Sequence, residues 1–182
     1  RWSLEHFRPE ANPDRGECNN TGDIIETALI LGRWGYTEYY EDAERMVRSH
    51  LLPSQLRDIS FIEPSPNPDY KDGRRDVAQR LRGAFGFPAP YGHEPLDLPF
   101  VDFNLDIVGG SVASLCEVYR EIFRSDETGH HVNLLFDHET SAVAVQSPYT
   151  HKALRVRVNQ PSALWVRLPS WTSQEQLTSE GI

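Results

Sequence analysis

Across 182 residues the chain sets 18 Lys and Arg against 27 Asp and Glu, a net charge of −9. A surface of that sign repels phosphate backbones and releases none of their counterions, so nucleic acid is excluded as an expected partner. Apolar residues make up 38 % of the chain, enough for a lean core in one domain or two small ones, and no window reaches the roughly 20 apolar residues of a membrane-spanning helix, so no membrane partner is expected.

The chain opens on Arg1 with no basic-then-apolar leader pattern, which predicts a start that is processed or cut from something longer. Cys18 and Cys116 lie too far apart to suggest a disulfide framework or a paired metal-ligand spacing. Asn19-Asn20-Thr21 matches the N-glycosylation acceptor triplet, a pattern that chance produces often. Ile24, Ile25, Ala28, Leu29 and Leu31 then recur at helical spacing, with Thr21 as the expected N-cap and Gly35 as the stop. Thr37 is the expected cap of a second helix, in which Tyr40, Ala43, Met46, Val47 and Leu51 share a face and Pro53 ends the run. The two make an αα-hairpin, and a hairpin this short leaves an apolar face that neighbouring hairpins would have to cover, which again predicts a fragment of a larger helical array.

Between Arg57 and Pro99, seven prolines scattered among glycines and charges predict a long loop with room for one short helix near Arg75–Arg82. Gly109-Gly110-Ser111 introduces a third helix, whose Val112, Leu115, Tyr119 and Ile122 are expected to face the core with Cys116 beside them. After Gly129 the period changes to two. Val132, Leu134 and Phe136, then Val143 and Val145, then Leu154, Val156 and Val158, then Leu164, Val166 and Leu168 predict four antiparallel strands. Asp137–Thr140 and Asn159–Ser162 are the expected turns, and Ser147–Thr150 breaks the middle connection. The expected fold class is α then β, with segregated layers or two domains, 1–126 and 127–182.

The chemistry is sought first at Glu17-Cys18-Asn19-Asn20-Thr21-Gly22-Asp23, where a carboxylate, a thiol and two amides precede a helix N-terminus. Asn19 and Asp23 are the candidate substrate-binding residues there. The alternative is that Glu17 and Asp23 only complement the helix dipole, an effect of about 0.3–1 kcal/mol. Asp102 and Asp106 lie ahead of the third helix and offer a second carboxylate for acid–base work on a glycosidic bond, or else cap that helix. The seven histidines show no HExxH or similar spacing, and His130-His131 opens a strand with its rings on opposite faces. No G-x-S-x-G, P-loop or Rossmann glycine pattern occurs, which sets aside acyl, phosphoryl and dinucleotide chemistry.

Glu17 to Gln55, with Thr21-Gly22-Asp23, Tyr39-Tyr40-Glu41-Asp42 and Arg48-Ser49-His50-Leu51-Leu52, resembles β-L-arabinofuranosidase-type glycoside hydrolases. Gly109 to Phe123, Val132–Phe136, Ser147-Pro148-Tyr149 and Val166-Arg167-Leu168-Pro169-Ser170-Trp171 are similar to that family in the same order. The resemblance implies the C-terminal part of an (α/α)6 toroid followed by the start of an antiparallel β-sandwich, a carbohydrate partner and a hydrolase activity. It also implies a zinc ion held by a Glu-x-Cys motif and an adjacent Cys pair, one thiolate of which attacks the anomeric carbon. Glu17 matches the motif glutamate, but Cys18 follows at once, Asn19 stands in the ligand position, and Asp106-Ile107 occupies the place of the Cys pair. Neither zinc nor the cysteine nucleophile carries over, so no cofactor is expected. Glu17 and Asp106 become the candidate catalytic carboxylates of a metal-independent hydrolase. Two other readings stay open: a non-catalytic relative that binds carbohydrate or is structural, and a polysaccharide lyase with Tyr91 or His93 as base.

Overall fold

The computed structural model describes residues 18–60, 76, 79, 82–85, 105–173, 175 and 178, with side chains of the third helix described from residue 109. Helix α1, Cys18–Arg33, buries Cys18, Thr21, Gly22, Ile25, Ala28, Leu29 and Gly32, one stripe at three- and four-residue spacing. Thr21 is not its N-cap. It lies inside the helix, and its Oγ1 is 2.9 Å from His50 Nδ1, so it serves a neighbouring element in place of its own backbone. The stop is as expected. Tyr36 N–H donates to Leu31 O and Gly35 N–H to Gly32 O, both at 3.1 Å, while Gly35 takes φ +99°; this is the paired 6→1 and 5→2 closure of a Schellman motif.

Helix α2, Tyr39–Met46, continues into a π-helical turn, Val47–Leu51. Tyr40, Ala43, Val47 and Leu51 are buried and Met46 packs against them, as the spacing predicts. Thr37 does not cap it through its side chain. The helix is entered through Glu38, already helical at φ −59°, and Glu41 and Asp42 in the first turn complement the positive end. The hairpin is antiparallel: Gly32 near the end of α1 lies under the Tyr40 ring, and Thr21 near its start meets His50. Of the long Arg57–Pro99 stretch, the described part returns to the hairpin. Leu56 N–H donates to Ala84 O at 2.7 Å, Gly83 N–H to Leu56 O at 2.8 Å, and Phe85 is fully buried.

Helix α3, Leu105–Ile122, begins before the Gly109-Gly110 pair that was expected to introduce it. It runs parallel to α1, because Gly110 abuts Asn19, Gly22 abuts Ser114, and Arg33 at the far end of α1 reaches Glu117 and Glu121. The expected core face holds in part: Ile122 is buried and Leu115 packs against the core, but Val112, Tyr119 and Cys116 are exposed, and Ser111, Ser114, Val118 and Glu121 are buried in their stead. The backbones approach so closely that only small side chains fit between them, so size and not hydropathy selects the face. Buried Glu121 is satisfied by Tyr40 Oη at 3.2 Å, Arg33 Nε at 3.3 Å and Arg124 Nη1 at 3.4 Å. Burial first, and the Glu121 charge second, raise the Tyr40 phenol well above its ordinary range.

The strands are β1 Phe123–Asp126, β2 Gly129–Val132, β3 His138–Glu139, β4 Val143–Gln146, β5 Arg155–Val158 and β6 Leu164–Val166. They form two sheets, ordered β1-β2-β6 and β3-β4-β5. The expectation of four antiparallel strands fails twice: β1 grows from the end of α3, and β6 runs parallel to β2, pairing His130 with Leu164 and Val132 with Val166. The parallel pairing follows from the long connection between β2 and β6, which passes through the whole second sheet before the chain returns along the other edge of β2. His138 and Glu139, expected in a turn, pair with Val145 and Ala144; the reversal comes next, where Thr140 Oγ1 accepts the N–H groups of Ala142 and Val143. Val132, Leu135, Val143 and Val145 from both sheets share one buried cluster with Phe123, Val156 and Val166 around it. A second cluster gathers the helical stripes with Phe85 and Leu134. The described residues are thus α then β.

Candidate functional site

Glu17 lies outside the described residues, so the carboxylate that the sequence singles out has no observed geometry. The other candidates fall at one end of the helical layer. Asn19 occupies the first turn of α1, and its Oδ1 sits against Gly110 of α3. Asp106 is in the first turn of α3, one helical turn before Gly110 and so about 6 Å further along the same face. It is therefore inside the helix and not ahead of it; Asp102 lies outside the described residues. The two N-terminal turns consequently stand side by side, and their unpaired N–H groups and dipoles point out of the same end. Asp23, one turn into α1, is exposed, and its carbonyl accepts the Thr27 hydroxyl at 2.8 Å. It is not drawn to Asn19's contact with α3.

Of the positions that the resemblance assigns to zinc, Glu17 and the side chains of Asp106-Ile107 lie outside what the structure describes. Asn19 Oδ1 lies close to Gly110, and Cys116, the other thiol of the chain, is exposed on α3. Among the described residues no group of three or more His, Cys, Asp or Glu is placed to hold a metal ion. Nor is any described helix long and apolar enough to cross a membrane. Tyr91 and His93, the candidate lyase bases, lie outside the described residues.

A charged network that sequence reasoning missed ties α2 to the strands. Glu44 of α2 is buried; its Oε1 accepts Arg48 Nε at 2.9 Å, and its Oε2 accepts the Leu135 N–H at 3.0 Å and the Arg167 guanidinium. Arg48 donates to Leu135 O at 2.8 Å and lies between the Phe136 and Tyr149 rings, 3.9 and 4.0 Å from their centroids. Arg167, which follows β6, donates to Asn133 O at 2.6 Å, and Glu41 accepts both the N–H and the hydroxyl of Ser170. Burial lowers the Arg167 guanidinium from its ordinary range, and Glu44 and then Glu41 oppose it. Burial and then Glu44 raise the Tyr149 phenol. The sequence signal was present: Glu44 falls four residues after Tyr40 and four before Arg48, a charge on the stripe that is otherwise apolar.

The exposed tryptophans are scattered. Trp34 follows α1, Trp171 follows the Arg167 segment, and Trp165 on β6 donates to Thr128 O at 3.2 Å and stacks on His131. They form no shared platform among the described residues.

Comparison with known proteins finds no matching family model, no matching curated protein and no matching solved structure.

Proposed function

We propose that this chain belongs to a glycoside hydrolase acting on an arabinofuranoside or related glycoside, in which the helices close a toroid of hairpins and the strands open a β-sandwich. The observation that carries the reading is the parallel pairing of α1 and α3 with α2 antiparallel beside them. In a ring of helical hairpins, alternate helices in the chain share a layer and a direction, and their N-terminal turns gather around one opening. Asn19 and the Asp106 turn stand at that end. The sharing of one apolar cluster between the two sheets suits the start of a sandwich.

In this reading Glu17 and Asp106 divide the acid and base or nucleophile roles on either side of the glycosidic bond, one of them held protonated by burial. Asn19 and Asp23 offer hydrogen bonds to sugar hydroxyls. The replacement of zinc ligands by Asn19 and Asp106-Ile107 favours, as the second reading, a relative that binds carbohydrate without turning it over. Hydrolysis of a panel of arabinofuranosides and other aryl glycosides by the full-length protein separates the two. Turnover that ignores chelator and falls at least 100-fold in Glu17→Gln, in line with the usual contribution of a general acid or base, supports the hydrolase. Sugar binding with no turnover on any substrate supports the second reading and sinks the first.

A further inference from the structure

The outer face of the second sheet carries a trough that the helix ends do not use. Register aligns Glu139, Ala144 and Arg157 across it, and Gln146 with Arg155 in the next row. Asp137, two residues before Glu139, extends the β3 side along the same face. Ala144 is the small residue on the central strand, and over it the face opens into a cleft of about 590 Å³ lined by these six residues, with His151 at one end. One wall is acidic, the other basic. Strands lie about 4.8 Å apart, so the Glu139 and Arg157 backbones stand roughly 10 Å from each other with the cleft between them.

The charges in the trough are unequally committed. Asp137 is saturated by the Ser147 N–H at 2.7 Å, the Thr150 hydroxyl at 2.5 Å and His151 Nε2 at 3.3 Å, so it builds the wall. Arg157 donates to Asn159 Oδ1 at 3.2 Å. The side chains of Glu139 and Arg155 have no hydrogen bond or ion pair among the described residues. An unengaged guanidinium, with a second one two residues along the same face, suits a carboxylate, which it can grip through two parallel N–H donors. Across the cleft, Glu139 and Gln146 present acceptors and a donor to hydroxyl groups. A dianion such as phosphate meets two carboxylates on the far wall, and a neutral sugar leaves Arg155 unanswered.

We propose that this trough is a binding subsite for a carboxylated sugar, a uronic acid residue, with its carboxylate on Arg155 and Arg157 and its hydroxyls on Glu139 and Gln146. The proposal deepens the carbohydrate reading and rests on it, but its site is separate from the helix ends. The test is an NMR titration of the protein with glucuronate and galacturonate, against glucose, galactose and inorganic phosphate, following arginine Nε–H and the β4 and β5 amides. The expected result is saturable binding of a uronate that shifts Arg155 and Arg157, at least tenfold tighter than the neutral sugars or phosphate. Arg155→Ala should weaken it at least tenfold, and Glu139→Gln by a smaller factor, with amide spectra elsewhere unchanged. Absence of saturable uronate binding, phosphate binding as tight as uronate, or undiminished binding by Arg155→Ala overturns the proposal. Glycoside turnover measured on the same samples keeps the two readings apart: uronate binding without turnover sinks the hydrolase alone, and turnover without uronate binding sinks the subsite alone.

Discussion

Where α1 meets α3, glycine and serine let two backbones approach until Gly22 abuts Ser114 and Gly110 abuts Asn19. Where α2 meets the strands, the gap is spanned by long charged side chains: Glu44 receives Arg48 and Arg167, and Arg48 is clamped between Phe136 and Tyr149. The first seam is steric and tolerates no added volume; the second is electrostatic and tolerates no missing partner. The two seams should fail in different ways.

The largest expected effect is at the charged seam. Glu44→Ala leaves two guanidinium groups and the Leu135 N–H without their shared acceptor, and breaking a buried pair from one side costs about 3–5 kcal/mol. A urea melt of that variant should shift accordingly. Replacing Glu44 and Arg167 together by apolar residues of similar volume should restore much of the loss, because no buried charge is then stranded; a double variant worse than Glu44→Ala would show that the network does more than neutralise itself.

Crowding is as close where α1 meets α2: Gly32→Ala would set a methyl 2.6 Å from the Tyr40 ring, which the antiparallel hairpin cannot absorb without moving the ring off Glu121. Overpacking of this kind costs about 1–3 kcal/mol, read as a lower thermal midpoint. Gly35→Ala, with nothing near its Cβ but φ at +99°, should cost only about 1 kcal/mol through backbone strain. Equal losses at Gly32 and Gly35 would refute the distinction between crowding and strain.

The smallest expected effects come from titration in the strands. The Thr128 hydroxyl, then the Thr128 N–H, hold Asp126 at about 2, below its ordinary 3.8. Thr150 and Ser147 likewise lower Asp137. A carboxylate whose folded pKa is depressed stabilises fully above its unfolded value and loses that contribution as pH falls through the folded one, so the Asp126 turn should weaken between about pH 4 and 2, and the Asp137 turn as pH falls below the ordinary carboxylate range. His138 is lowered from 6.5 by burial, so its stabilisation is present above 6.5 and declines as pH falls below it. Amide exchange in β3 should therefore begin to rise at higher pH than amide exchange in the β1–β2 turn; a single shared transition near pH 4 would contradict the assignment.

Much of the helical hairpin was legible because its stripes are apolar and its stop is Gly35. The face of α3 was legible only in part, at Leu115 and Ile122, because Val112 and Tyr119 carry hydropathy while Ser111, Ser114 and Gly110 carry the fit, and periodicity weighs only the first. Strand β1 was hidden in Phe-Arg-Ser-Asp, a segment whose extended form depends on pairing with β2. The direction of β6 is likewise a long-range outcome. Of the candidate site, the sequence showed that two helices start there but placed both starts several residues late, at Thr21 and Gly109–Ser111, and chain order alone could not say that they lie beside each other. Nor could it show that Glu44 and Arg167, far apart in the chain, form one pair.

The central claim is that the adjoining starts of α1 and α3 work as one catalytic end, and a double-mutant cycle tests it most directly. Glycoside turnover would be measured for the full-length protein, Glu17→Gln, Asp106→Asn and the double variant, with chelator present throughout. Two carboxylates that act on the same bond are expected to be non-additive, so the double variant should be little worse than the weaker single one. Turnover that survives both substitutions unchanged, or losses that simply multiply, would contradict a shared site at this end of the helices.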